Sequence, residues 1–409
     1  MQFPIGCCSV VHWMLKKINF ILKSFYLSVS SSLWGYVHQV YENSFSVKKT
    51  QEKNDIRILI VQLGQIGDFI LSLPLIAALK EHYGENLRLS LLIDPINERI
   101  AQKYCASCNL IFYRAPKYTR HKAGPHNDSF SPQGTKATLT ISKSEMYDEV
   151  IWLRGDLRTF LWIVRKRIPL KSITKYPNPV RLSWLSLVFP LRIERKYSHF
   201  IETLDLLYQG IVKPSDYPWP KIISLYDNDA KRHNKGKIFI HISAGNELRR
   251  WPVERFVALS KFFLNYDTKL TIHYIGSNED YYIAETIKGH GELQFFSSRL
   301  FNQCGKVRLE ELAGFLSNGT LYIGFDSGPM HIAAMSGVPI VAMMGPQSPH
   351  LFRPWGKQAI KVIYKDFYCS PCWQFSCFRV QSGPGECILA IQPEEVFKEA
   401  KSILESVRE

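Results

Sequence analysis

The chain has 409 residues, 46% of them hydrophobic, which is enough apolar material for two domains with real cores and excludes a fibrous or bulk-disordered protein. Its formal charge of +15 implies attraction to something anionic: nucleic acid, a phosphorylated glycolipid or an acidic membrane face. The chain shows no zinc-finger spacing, aromatic RNA-binding consensus or helix-turn-helix pattern, so nucleic acid is set aside as a partner.

Residues 1–55 form an extension unlike the rest. Trp13, Leu15, Ile18, Phe20, Ile21, Phe25 and Trp34 are interleaved with Lys16, Lys17 and Lys23, while Ser28 and Ser30 to Ser32 dilute the hydrophobicity below that of a spanning helix. The pattern fits an interfacial helix with aromatics at the acyl boundary and lysines toward anionic headgroups. A helix packed on the protein's own surface is the alternative.

From residue 56 to 212 the pattern is that of one α/β domain. Ile58 to Val61 is a continuous apolar run of the kind buried in parallel sheets, residues 69 to 82 carry helical spacing, and Leu89 to Ile93 and Val150 to Leu153 read as further strands. Residues 115 to 143, rich in Lys, Gly, Pro, Ser and Thr, read as an irregular excursion, and 157–164 and 201–208 as helices. Between the first strand and helix lies Gln62-Leu63-Gly64-Gln65-Ile66-Gly67-Asp68. Asp68 can be a plain helix cap, but capping alone gives no reason for two glycines, which point to close approach of the backbone to something else. A carboxylate at this turn could instead take a proton from an attacking hydroxyl.

Residues 213 to 236, with Asp227-Asn228-Asp229 and several prolines, read as a linker. A second alternation occupies 237–390, with strands at Ile238 to Ile242, Leu270 to Ile275, Leu321 to Ile323 and Val338 to Met344, followed by a helix at 391–409. Ligands of such sheets lie beyond the carboxyl ends of the strands. There the chain places Ser243 to Pro252, with Asn246, Arg249 and Arg250, then Gly276 to Asp280, and Asp326-Ser327-Gly328-Pro329-Met330-His331. Arginine forks suit a leaving diphosphate, although Arg250-Trp251 could equally be a stacked pair. Pro329 marks the start of a helix, whose free amides at Gly328, Met330 and His331 would face an anion.

The nine cysteines lack the density of a disulfide-stapled domain and suit a reducing cytosol. Cys369, Cys372, Cys377 and Cys387 could close a tetrahedral metal shell, but their uneven spacing lacks a second Cys-x2-Cys pair, and reduced thiols are the simpler reading.

Taken together, Ile58 to Asp68 with Leu73-Pro74, Arg154-Gly155-Asp156-Leu157-Arg158-Thr159, His199 with Glu202, Arg249 to Pro252 with Arg255-Phe256, and Asp326 to His331 with Gly337-Val338-Pro339 and Gly345-Pro346 resemble the glycosyltransferase family 9 heptosyltransferases. The resemblance implies an α/β fold of GT-B architecture: two Rossmann-like domains with parallel sheets facing across a cleft. It implies an inverting, metal-independent transfer of heptose from a nucleotide sugar, ADP-heptose in that family, to the lipopolysaccharide core, with no cofactor. The family's base falls on Asp68 and its phosphate-contacting lysine on Arg249, a fork in place of a point charge. Asp280 would hold the ribose hydroxyls, with Glu279 as the second choice. Asp326 would meet the donor sugar, and Ser243, Asn246, Arg250, Gly276, Ser327, Gly328, Met330 and His331 would line the rest of the donor site. Where members often read His-Pro-Gly-Ala-Gly, this chain has His241-Ile242-Ser243-Ala244-Gly245.

Gly64, Gly67, Arg154 and Arg158 would lie on the acceptor side, together with much of the basic excess, such as Arg165, Lys166 and Arg167. The expected acceptor is therefore an anionic glycolipid, and the expected location is the cytoplasm, peripheral on the inner face of the cytoplasmic membrane. A transferase for another surface glycan, or a sugar-nucleotide-binding protein without catalysis, would share these motifs.

Overall fold

A computed structural model describes residues 55–114, 147–155, 170–173, 236–372 and 383–406, with positions 159, 162, 163, 199, 201, 377 and 380. The amino-terminal extension through residue 54, the excursion at 115–143, the basic run Arg165 to Arg167, the linker through residue 235 and Arg158 lie outside the described residues. Of the helices expected at 157–164 and 201–208, only Thr159, Trp162, Ile163 and Ile201 are described, all of them helical.

The front half contains β1 (Ile56–Gln62), α1 (Ile66–Tyr83), β2 (Leu87–Ile93), α2 (Glu98–Tyr104), β3 (Asn109–Phe112), β4 (Glu149–Arg154) and β5 (Leu170–Ile173). All pairings are parallel and the strand order is β3-β2-β1-β4-β5. The run Ile58 to Val61 is buried on both faces, as its unbroken apolar character requires. Each large side chain of this kind contributes about 1.5–3 kcal/mol by leaving water.

The rear half contains β6 (Lys237–His241), α3 (Val253–Tyr266), β7 (Thr271–Ile275), α4 (Tyr281–Lys288), β8 (Leu300–Asn302), α5 (Leu312–Ser317), β9 (Leu321–Phe325), α6 (Gly328–Ser336), β10 (Ile340–Met344), β11 (Ile360–Tyr364) and α7 (Pro393–Ser406). This sheet is also parallel throughout, in the order β11-β10-β9-β6-β7-β8. Gly337, at φ 77°, ends α6 in the left-handed conformation that glycine adopts without penalty. The amphipathic α7 buries Val396, Ala400, Ile403 and Leu404, and Phe397 stacks on Phe262 of α3.

Four strands carry no clear signal in the sequence. The edge strands β3, β8 and β11 are short or half exposed, so they lack the buried apolar run that marks a central strand, and β5 is only four residues long. Helix α1 is buried on nearly every side from Phe69 to Leu79, because one face covers the front sheet and another meets α6 of the rear half. A single apolar cluster accordingly runs from Ile60 and Phe69 through to Met330, Ala333 and Ile340. In each sheet the strand order reverses at one place, between β1 and β4 in front and between β6 and β9 behind, and crevices at such reversals are where parallel sheets hold ligands.

Candidate active site

At the front reversal, the turn after β1 is built around Asp68. The Gln65 amide donates to Asp68 Oδ2 at 2.9 Å, so Gln65 is the N-cap and Asp68, three residues into the turn, closes a capping box rather than capping the helix itself. Gln62 bridges the turn: its Oε1 accepts from the Gly64 amide at 3.1 Å and its Nε2 donates to the Asp68 carbonyl at 3.2 Å. Gly64 is required by space, since a Cβ there would lie 2.7 Å from Asp68 Oδ2. Arg154, the last residue of the neighbouring β4, accepts the Leu63 amide on its carbonyl at 2.7 Å and donates from Nη1 to Asp68 Oδ2 in an ion pair. Asn97, fully buried after β2, donates to the Gly64 carbonyl at 3.0 Å.

At the rear reversal, the loop after β6 meets the turn after β9. Arg249 Nη1 donates to the Asp326 carbonyl at 2.7 Å and to its Oδ2 at 2.9 Å. Asn246 caps the short turn carrying Arg249 by accepting the Leu248 amide at 3.0 Å, and Arg250 Nε donates to the Ala244 carbonyl at 2.9 Å. The stacked pair considered for Arg250-Trp251 is not formed: Arg255 lies over the Trp251 ring at 5.7 Å, while the buried Trp251 donates to the Ile388 carbonyl. Ser327 Oγ donates to the Phe325 carbonyl at 3.0 Å and lies 3.4 Å from His241 Nδ1. Burial holds the His241 imidazole neutral, lowering its pKa to about 4 against the raising effect of Asp280.

One expectation is corrected. Met330 does not offer a free amide, because its N–H donates to the Ser327 carbonyl at 3.1 Å as α6 begins, and its side chain is fully buried in the core. His331, one residue on, is buried as well, and desolvation lowers its pKa against the raising effects of Asp326 and Asp68. Its Nδ1, like Arg249 Nε, is buried with no hydrogen-bond partner among the described residues.

The turn after β7 repeats the local design of the first turn with a different result. Gly276 stands four residues before Asp280 as Gly64 does before Asp68, and a Cβ on Gly276 would again lie 2.7 Å from the carboxylate. Asp280 Oδ2, however, accepts from the Ser277 amide, Ser277 Oγ and Ser243 Oγ, each at 2.7 Å, and the residue is 4% exposed. Ser243 and Asp280 therefore lace the loops after β6 and β7 together.

The two halves meet at the amino-terminal ends of α1 and α6. A Cβ on Gly67 would sit 2.9 Å from His331 Cδ2, and one on Gly328 would sit 2.8 Å from Ile66 Cγ2. This contact gathers Gly64, Gly67, Asp68 and Arg154 with Arg249, Asp326, Ser327, Gly328 and His331, leaving a carboxylate–guanidinium pair on each side of the histidine. Gln62 and Asn97 were not singled out from the sequence. Gln62 directly precedes the glycine turn and could have been marked, whereas nothing local marks Asn97.

Among the described residues no group of three or more His, Cys, Asp or Glu is disposed to hold a metal ion, and no helix is long and apolar enough to cross a membrane. Cys369, Cys372, Cys377 and Cys387 are partly buried, with burial foremost in raising the Cys387 pKa to about 11.

Residues 142–380, more than half of the chain, match glycosyltransferase family 9 (heptosyltransferase). A 105-residue stretch is 32% identical to lipooligosaccharide heptosyltransferase 2 of Campylobacter jejuni serotype O:2, covering 26% of this chain and 32% of that protein, so the chain spans about a third of the length of that relative. Over 369 residues it is 22% identical to lipooligosaccharide heptosyltransferase 2 of Haemophilus ducreyi, covering 85% of this chain and 99% of that one. Its fold is that of the glycosyl transferase family 9 structure from Veillonella parvula (TM-score 0.59, 21% identity, 87% of this chain and 99% of that one). It is likewise that of E. coli ADP-heptose lps heptosyltransferase II (TM-score 0.54, 17% identity, 87% and 100%). Two parallel sheets, the Asp326 to His331 turn and a family match over more than half of the chain converge: the chain belongs to glycosyltransferase family 9 (heptosyltransferase).

Proposed function

We propose that the protein transfers a heptose from ADP-heptose to a hydroxyl of an anionic lipopolysaccharide-core glycolipid, inverting the anomeric carbon in a single displacement without a metal. The observation that carries this reading is the meeting of the α1 and α6 amino termini, with Gly67 against His331, which sets Asp68 opposite the Arg249–Asp326 pair. Asp68 takes the proton of the acceptor hydroxyl as that oxygen attacks from the face opposite the diphosphate. Arg249 and the amino terminus of α6 stabilise the charge that develops on the departing diphosphate. Asp326, oriented by Arg249, meets the donor sugar, and Asp280 serves the ribose side through the loops it laces together.

Heptosyl transfer is tested by incubating the full-length protein with a heptose-deficient core glycolipid and ADP-heptose, UDP-glucose or GDP-mannose, and weighing the lipid product by mass spectrometry. A heptose increment from ADP-heptose alone is expected. Product only from the other donors would redirect the reading to another surface glycan, and thermal stabilisation by ADP-heptose without product from any acceptor would leave a binding protein. Peripheral attachment to the cytoplasmic membrane through residues 1–50 belongs to the same proposal. Fractionation unchanged by deleting those residues would refute it.

A further inference from the structure

We propose that Cys105 and Cys108 form a redox-active dithiol that a low-molecular-weight disulfide closes reversibly to a disulfide, with Cys108 attacking and Cys105 resolving. Helix α2 ends at Tyr104, where the Cys105 amide donates to the Ala101 carbonyl at 2.8 Å, and the Cys108 amide then donates to the Cys105 carbonyl at 2.8 Å. That second bond closes a four-residue turn, whose first and last Cα atoms lie within about 7 Å of each other. A disulfide spans about 4.4–6.8 Å between Cα atoms, so the turn already holds the pair near bridging distance. Ala106 and Ser107 stand exposed at the tip of the turn, while both cysteines pack into the front core. Cys108 is 8% exposed and Cys105 not at all, which makes Cys108 the thiol an outside reagent meets first.

The surroundings divide the two roles in the same way. Hydrogen bonding from Cys105 foremost, and then the ammonium of Lys80 in the last turn of α1, bring the Cys108 thiol down to about 7 against the opposing effect of burial. The same bond and burial push Cys105 up. Elsewhere burial prevails, raising Cys304 to about 12 and Cys387 to about 11. In the reaction the Cys108 thiolate attacks one sulfur of the small disulfide and expels the first thiolate. Cys105 then loses its proton and attacks the Cys108 sulfur, expelling the second. Two protein thiols are oxidised by two electrons, the small disulfide is reduced to two thiols, and the protein's two protons leave with them. The site is remote from Asp68: Lys80 lies twelve residues further along α1, about 18 Å of helix, and α2 runs back from Asn97 beside the Gly64 carbonyl to the dithiol just before β3. In a reducing compartment such a pair would cycle rather than stay closed.

The test incubates the full-length protein at graded ratios of glutathione disulfide to glutathione, quenches in acid, alkylates the remaining thiols and maps tryptic peptides by mass spectrometry. The peptide from Tyr104 to Arg114 should escape alkylation at both cysteines and be two hydrogens lighter, and dithiothreitol should reverse the change. Cys105→Ala should instead hold one glutathione on Cys108, and Cys108→Ala should leave Cys105 unmodified, with melting curves verifying that both variants fold. Lys80→Gln should slow closure by about 3-fold at pH 7, because less of Cys108 is then thiolate. Alkylation of both thiols of the wild type at every ratio, a disulfide from either to another cysteine, or glutathione on Cys105 of Cys108→Ala would overturn the proposal. An unchanged rate in Lys80→Gln would overturn the part given to the lysine.

Discussion

The two halves carry the same pair of groups at the same place in their topology, with the roles exchanged. In front, the carboxylate comes from the turn after the first strand and the guanidinium from the end of β4; behind, the guanidinium comes from the loop after β6 and the carboxylate from the turn after β9. The side chains of the front pair are 33% and 12% exposed and those of the rear pair 18% and 8%, so water and ligand reach the front pair more readily. The difference teaches that two parallel sheets with the same kind of reversal can hold the same kind of ion pair at different depths, a more open one in front and a more enclosed one behind.

The sharpest way to break this comparison is to remove the front carboxylate. Asp68→Asn should lower turnover by about 10²–10⁴-fold while leaving the donor-induced melting shift intact, and near-normal transfer in that variant would remove Asp68 from the mechanism. Breaking the rear pair should act on stability: Asp326→Asn leaves Arg249 enclosed without its counter-charge and should cost about 3 kcal/mol in urea unfolding. The matching front change, Arg154→Gln, should cost about 1 kcal/mol, because that pair is partly solvated. Equal losses would erase the distinction between the halves.

Acid should weaken the rear half through His241. Its folded pKa of about 4 lies below the ordinary histidine value, so the unfolded chain binds the extra proton first. Stability from this group is complete above about pH 6.5 and falls as pH drops toward 4, by about 3 kcal/mol in all, and His241→Gln should flatten that part of the stability–pH curve. Smaller again is Gly67→Ala, whose methyl would press on His331 and pry the two turns apart, so transfer should fall by about 10-fold with unfolding little changed. Gly245→Ala, with nothing within 4 Å of the added carbon, should stay within about 0.5 kcal/mol of the parent and serves as the control.

Much of the framework was legible in the residues. The apolar runs at Ile58 and Leu321 located central strands, and Gly64 before Asp68 and Pro329 after Gly328 marked the turns, because a buried strand, a helix cap and a proline at a helix start all write their requirements within a few positions. The edge strands escaped because half-exposed segments of three to five residues carry no such run. Asn97 escaped because its partner, the Gly64 carbonyl, stands 33 residues away.

What the amino-acid order determined by itself is therefore local: the strand and helix alternation, the glycines that admit close approach, and the motif set of the family. Only the tertiary structure decided that Arg154 faces Asp68 from 86 residues away, that Arg249 is bound to Asp326 from 77 residues away, and that Asp280, in a turn built like that of Asp68, is enclosed by two serines. The reason is that capping and periodicity act over a single turn of chain, whereas the neighbours of a carboxylate at the end of a strand are set by which strands lie beside it in the sheet.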